Sequence, residues 1–354
     1  MSTTALPILK VGGRPLRRGR EQGEGARAQI QRAVTRYREF LPDLLQLDWS
    51  GVVDASRRFL PYAEEAFPQC VEELRGIAQG SDVPFEEVWT LNCYEELIDH
   101  RQDFHGCTSL AVCKDFSANG HMLVAHNEDW LSIEADTIYL VQSKQDQGPD
   151  FIGLTYGPLL VNIGFNDCRI GVAIDSVHSS DVQLGVPRVV YARAVLNARD
   201  LEEAIQACLF TQRAGGYHFL LAHARGELCS VETSANMHDV RRDGSGWMLH
   251  TNHYLSPKLQ VSEKPGPHLN SQLRLKRAEQ ILQSCPDKIS LEVIQNLLSD
   301  HANQPHTICM HADLSDPLQS RYQTLTSLVM DLNARVMWAT KGPPCESTYV
   351  AYEL

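Results

Sequence analysis

The chain has 354 residues, 43% hydrophobic and 21% charged, which is enough apolar content for a sizeable buried core. A formal net charge of −12 argues against broad polyanion binding, so no nucleic-acid partner is expected, and no apolar run approaches a membrane span. The ten cysteines are scattered without a CxxC pair, and Met1–Pro7 lacks a basic stretch followed by an apolar signal core. Neither a disulfide framework nor a zinc motif is indicated, and the simplest compartment is a reducing cytoplasm with mostly free thiols.

Residues 5–12 read as a first strand ending at Gly12-Gly13. From Arg17 to Leu47 the apolar spacing of Ile30, Val34, Tyr37 and Leu41 is helical, with Pro42 as an interruption. Arg14, Arg17, Arg18 and Arg20 interleave with Glu21 and Glu24, the pattern of a solvated helix face. Asp54–Glu65 and Cys70–Gln79 are further helices. Ser81 or Asp82 can cap the next one, with Pro84 in its first turn and Glu86 and Glu87 at the positive end of its dipole.

The character changes at Cys107. Strands are expected at 108–113, 121–126, 136–143, 150–155, 159–164 and 169–174, with Gly, Asn and Asp turns between them. Helices at Pro187–Ala198 and Asp200–Leu209 precede strands at 217–224, 227–232 and 246–250. Helices at Asn270–Ser284 and Ser290–Ser299 precede strands near 306–311, 324–330 and 335–340. No repeat or linker divides the chain. The order of helices and strands suits one α+β domain: two packed sheets with helices on the outer faces, an αββα sandwich.

The stretch Phe104-His105-Gly106-Cys107-Thr108-Ser109 organises the chemistry. If the Gly106–Cys107 bond is cut, Cys107 acquires an α-amino group with a reference pKa near 8, which can serve as the base for its own thiol. Such a nucleophile needs no separate histidine. The strand at 121–126 ends in Asn127-Glu128-Asp129. Read as a hairpin, the two strands hold a thiol and a carboxylate at neighbouring ends. Asp129 can hold the new amine, Arg321 can pair with Asp129 by a bidentate contact, and an Asn side-chain amide can serve a developing oxyanion. Taken singly, each residue also has a plain structural reading, as a buried thiol, a turn or a surface arginine. His126, His250, His253, His306 and His311 show neither HxH nor HExxH spacing, so no metal and no cofactor are expected.

Gly106-Cys107-Thr108-Ser109, Asn127-Glu128-Asp129-Trp130, Thr251-Asn252-His253, Ser320-Arg321 and the ending Gly342-Pro343-Pro344-Cys345-Glu346 occur in the order found in one family. The chain resembles the acyl-coenzyme A:6-aminopenicillanic acid acyltransferase family of N-terminal-nucleophile (Ntn) hydrolases, a group that includes insect β-alanyl-amine hydrolases. The resemblance implies a four-layer αββα sandwich and a precursor that cuts itself before Cys107. The products would be an α chain of residues 1–106 and a β chain of 107–354 that stay together as one domain. It also implies Cys107 as nucleophile, Asp129 as the residue positioning its amine, Asn252 as oxyanion donor and Arg321 as partner of Asp129. Thr108, Ser109, Asn127, Asn166 and Ser320 are supporting candidates. The expected activity is hydrolysis of an N-acylated small amine or amino acid through a Cys107 thioester. Acyl-CoA-dependent transfer through the same thioester is the alternative, and a non-enzymatic binding protein the outsider.

Overall fold

The computed structural model describes residues 5–98, 106–242, 246–266 and 268–354. Met1–Thr4, and Phe104 and His105 of the stretch before Cys107, therefore lie outside the described residues.

Strand β1 (Ile8–Gly13) leads into seven helices: α1 (Pro15–Gly25), α2 (Arg27–Leu45), α3 (Trp49–Arg57), α4 (Leu60–Ala66), α5 (Pro68–Ser81), α6 (Phe85–Asn92) and α7 (Tyr94–Ile98). Six strands follow: β2 (Thr108–Val112), β3 (Leu123–Leu131), β4 (Ile138–Gln145), β5 (Phe151–Tyr156), β6 (Ile163–Asn166) and β7 (Ile170–Ser176). Next come α8 (Arg188–Val195), α9 (Leu201–Cys208), β8 (Tyr217–His223), β9 (Glu227–Thr233), β10 (His238–Arg241) and β11 (Trp247–His250). The chain closes with α10 (Pro257–Gln260), α11 (Leu269–Gln283), α12 (Leu291–Leu298), β12 (Tyr322–Asp331), β13 (Val336–Ala339) and β14 (Val350–Glu353).

Among the described residues the strands form two sheets, ordered β1-β4-β5-β6-β7-β8-β9-β10 and β11-β2-β3-β12-β13-β14. All neighbours are antiparallel except β1 and β4. The sheets face each other through β2 and β3 against β7 and β8. The helix α9 covers β8 and β9 on one outer side; α11 and α12 cover β11, β3 and β12 on the other.

The two-residue period of the strands builds these layers. Leu110 and Val112 of β2, Leu123 and Ala125 of β3 and Val329 of β12 pack on Ala278, Leu282, Ile294 and Leu297 of the covering helices. The alternate residues Ala111, Val124, Leu328 and Met330 belong to the core between the sheets. The result is an α+β, four-layer αββα sandwich of the Ntn-hydrolase type.

Several local expectations need correction. Ser81 and Asp82 do not start a helix. Ser81 ends α5, and Asp82 adopts a left-handed conformation with φ 59° while its N–H donates to Ala78, a helix ending that Asp tolerates. Pro42 sits inside α2 rather than interrupting it. Arg18 is buried, unlike its exposed neighbours Arg17 and Arg20. Residues 127–129 are not a turn, because β3 runs on through Leu131 in pairing with β12. Residues 306–311 form no strand, while β10 and β14 were not expected.

Candidate active site

Three neighbouring strands deliver the site. In the β2–β3 ladder Thr108 faces Asn127 and Ser109 faces His126, so Cys107, just before β2, comes beside Glu128. The Cys107 sulfur lies 3.8 Å from Glu128 Oε2. On the other side β11 pairs His250 with Ser109, and Asn252 follows just past its end. A Cβ on residue 106 would lie 2.6 Å from Asn252 Nδ2, so the amide covers the Gly106–Cys107 junction and leaves room for glycine alone.

Asp129 sits within β3, opposite Thr324 of β12, beside a bulge between Thr324 and Thr326. Thr324 Oγ1 donates to Asp129 Oδ1 at 2.5 Å, while the buried Oδ2 has no partner among the described residues. The cation of the site is Arg274 of α11, which is fully buried. It donates to Cys107 O (2.6 Å), Thr108 Oγ1 (2.9 Å), Asn252 Oδ1 (2.7 Å) and Asn270 Oδ1 (2.8 Å). Asn252 Nδ2 in turn donates to Ser176 O at 3.1 Å.

The electrostatics are strongly one-sided. Burial, then Glu128, Asp175 and Asp129, push the Cys107 thiol well above its usual range. Burial lifts the Asp129 carboxyl to about 8, against the pull of Arg274 and Thr324. Burial also raises Asp175 well above the carboxylate range. A thiol in this setting stays protonated, and carboxyls crowded around it favour any cation that appears among them.

Around this centre runs a polar network. His126 lies 3.0 Å from Ser109 Oγ and 2.9 Å from Glu128 Oε2. Asp175 Oδ2 lies 2.8 Å from His218, whose ring stacks on His250 at 3.5 Å, and His250 Nε2 lies 2.8 Å from Glu232. The groupings Cys107–His126–Glu128 and Asp175–His218–His250 each bring three potential metal donors together, but these hydrogen bonds already account for both. A third donor grouping, His301–Cys309–His311–Cys345, lies on loops after α12 and β13.

The structure thus brings together Gly106, Cys107, Thr108, Ser109, Asp129 and Asn252, but not the remaining candidates. Arg321 does not hold Asp129: it precedes β12, and its guanidinium donates to Asp316 O and Leu314 O, both at 2.7 Å. Ser320 ends a short 3-10 turn outside the network. Asn127 donates to Leu298 O and Ile308 O, fastening the loop after α12. Asn166 ties Leu196 and Ala198 to β6. Glu128, His126, Asp175 and Arg274 are additions. Arg274 leaves one trace in the sequence: the buried positions of α11 are Asn270, Ser271, Arg274, Ala278 and Leu282, a helical stripe that starts polar.

A cavity of about 30 Å³ lies next to Trp130, the residue after Asp129, lined by Tyr94, Glu95, Glu96, Tyr156, Asn162 and Tyr217 among others. Burial raises Glu96, and Glu134 on another wall, to about 7. Among the described residues, no Lys or Arg lines this cavity.

Comparisons with known proteins agree with this architecture. The family model for acyl-coenzyme A:6-aminopenicillanic acid acyl-transferase matches residues 116–345. A protein of Emericella nidulans described as "Acyl-coenzyme A:6-aminopenicillanic-acid-acyltransferase 40 kDa form" is 23% identical over 338 residues, covering 94% of this chain and 91% of that protein. Among solved structures, penicillin V acylase from Agrobacterium tumefaciens superposes with a TM-score of 0.50 at 14% identity, over 70% of this chain and 86% of that one. A Caenorhabditis elegans orthologue of N-acylethanolamine-hydrolyzing acid amidase gives 0.47 at 16% identity, over 70% and 100%. The chain is an enzyme of the acyl-coenzyme A:6-aminopenicillanic acid acyl-transferase family, built on the Ntn-hydrolase fold.

Proposed function

We propose that this chain is a self-cleaving N-terminal-cysteine amidohydrolase acting on an N-acylated small amine or amino acid. The observation that carries this reading is the Gly106–Cys107 junction, covered by the Asn252 amide and set beside Asp129, one of whose buried carboxylate oxygens lacks a donor among the described residues.

In maturation the Cys107 sulfur attacks the Gly106 carbonyl carbon, and the acyl group passes from nitrogen to sulfur. Water then releases the Gly106 carboxylate and leaves a free amine and thiol on Cys107. Residues 1–106 and 107–354 remain one folded unit, because helices of the first part and strands of the second share a single core. The new α-ammonium enters a site lined by Asp129, Glu128 and Asp175, whose carboxyls favour a further cation beside Arg274. Asp129 Oδ2 is the acceptor it meets, and losing its proton to a base makes the amine the general base for its own thiol.

In turnover the thiolate attacks the substrate carbonyl, Asn252 donates to the oxyanion, and the amine leaves with a proton from the Cys107 ammonium. Water then hydrolyses the thioester. Arg274 is a positioning residue here, since it grips Cys107 O and Asn252 Oδ1 at once.

Acyl transfer through the same thioester is the second reading, favoured by the name of the Emericella nidulans relative, which aligns over 94% of this chain. Hydrolysis is the preferred reading because water always reaches the thioester, whereas transfer requires a dedicated amine site. The test is to load the matured enzyme with an activated acyl ester, detect acyl-Cys107 by mass spectrometry, and offer a panel of amines in water. Release of free acid at a rate indifferent to amine supports the hydrolase. Turnover of acyl-CoA that requires an amine overturns it in favour of transfer.

A further inference from the structure

Outside the active site, four donors from two loops converge. His301, Cys309 and His311 lie on the segment between α12 and β12, and Cys345 lies on the loop between β13 and β14. His301 Nε2 and His311 Nε2 are 3.1 Å apart, and the sulfurs of Cys309 and Cys345 are 3.6 Å apart. His311 Nε2 lies 3.2 Å from Cys345 Sγ and 3.8 Å from Cys309 Sγ. All four donor atoms fall within 4.8 Å of one another.

These separations match a tetrahedron around one small ion. With Zn–S near 2.3 Å and Zn–N near 2.0–2.1 Å, tetrahedral geometry puts sulfurs about 3.8 Å apart, nitrogens about 3.3 Å apart and mixed pairs about 3.5 Å apart. The sulfurs stand far beyond the roughly 2.05 Å of a disulfide. Glu346 Oε1 lies 3.7 Å from His311 Nδ1, where a carboxylate orients a histidine that ligates through its other nitrogen. His311 and Cys345 are exposed, so an ion can enter. We propose that His301, Cys309, His311 and Cys345 form a structural zinc(II) site.

Binding places zinc(II) on two thiolates and two neutral imidazoles, releases both thiol protons to solvent and leaves no net charge on the cluster. With four protein ligands the site is closed and does no chemistry of its own. It acts as a staple. Met310, between two of the ligands, is tied to Thr324 twice: its N–H donates to the Thr324 side-chain Oγ1 at 2.9 Å, and the Thr324 N–H donates to Met310 O at 3.1 Å. The same Thr324 hydroxyl donates to Asp129. An ion joining the two loops therefore fixes the segment against which Asp129 is set. Motif spacing missed this site because its ligands are 36 residues apart at the widest cysteine pair and come together only through the β12–β13 hairpin.

The test uses the full chain purified without chelator, dialysed, and analysed for metal by mass spectrometry. About one zinc per chain is expected, lost in Cys309→Ser and in Cys345→Ser and kept in Cys285→Ser, whose thiol lies outside the cluster. Cobalt(II) replacing zinc is expected to show the intense visible bands of tetrahedral coordination and a thiolate charge-transfer band. His301→Gln serves as a milder variant, with weakened zinc retention and a lowered melting temperature expected. Wild-type chain that takes up no zinc from a stoichiometric supply overturns the proposal. So does full zinc retention in both cysteine variants, or a Cys309–Cys345 disulfide in metal-free protein purified without reductant.

Discussion

At the scale of single residues, the site turns on which cation serves it. Arg274 contacts Cys107, Thr108, Asn252 and Asn270 while fully buried; Arg321 contacts two loop carbonyls. Arg274→Ala is therefore expected to block maturation or to cost matured enzyme about 100-fold or more in kcat, on the scale seen when oxyanion machinery is disturbed. Arg321→Ala should stay within a few-fold of wild type. Comparing the fraction cut and the steady-state rates checks both, and the reverse ranking would return the role to Arg321. Asp129 carries a second expectation. Its carboxyl titrates at about 8 in the uncut fold against a usual 3.8. Between those values the folded chain keeps a proton that the unfolded chain has released, so this group lowers stability progressively as pH rises through the window. Below it both forms are protonated and the penalty is absent; above it the penalty is constant. In an uncut Cys107→Ala background, the stability gained by Asp129→Asn should therefore grow from pH 4 to pH 8 in denaturation curves. A gain independent of pH contradicts the assignment. Cys107, Asp129 and Asn252 are reached from the sequence through the family resemblance, and the fold sets them around one junction. Arg274 is not, because its one local trace, the polar start of the buried stripe of α11, is too slight to separate a buried arginine from a solvated one.

At the scale of elements, α1 and α5 approach closely enough to exclude side chains. A Cβ on Gly76 would lie 2.2 Å from Leu16 O and 2.7 Å from Arg20 N. Glu73, one turn away, is buried between Arg18 and Arg193, which hold its carboxyl below the usual range although burial pulls the other way. In a free helix Gly→Ala stabilises by roughly 1 kcal/mol. Gly76→Ala here should instead destabilise by about 1–3 kcal/mol or more, the range for forced overpacking. A denaturation midpoint equal to or above wild type would contradict the close packing. The sequence shows these helices by their periodicity but not their contact, since Arg18 reads as one charge among many. The same limit explains residues 127–129. Asn, Glu and Asp are turn formers by composition, yet pairing with β12 carries β3 straight through them. The αββα order is legible because strand runs and helical spacings alternate along the whole chain, whereas β14 and β10 are too short and too polar to stand out.

At the scale of the whole molecule, one scission accounts for the rest. The uncut fold holds a protonated thiol, a carboxyl raised by burial and an acceptor oxygen without a donor among the described residues, all at one junction. A positive chain terminus released there relieves each of them. The shared core between the helical first part and the sandwich would hold the two proposed fragments together. The most direct measurement is the intact mass and N-terminal sequence of the freshly purified chain. Two fragments, residues 1–106 and 107–354, with the larger beginning Cys-Thr-Ser-Leu, and a single chain in Cys107→Ala, are the expected result. A fully active protein that remains one polypeptide of 354 residues, or one cut at any other bond, would contradict the account.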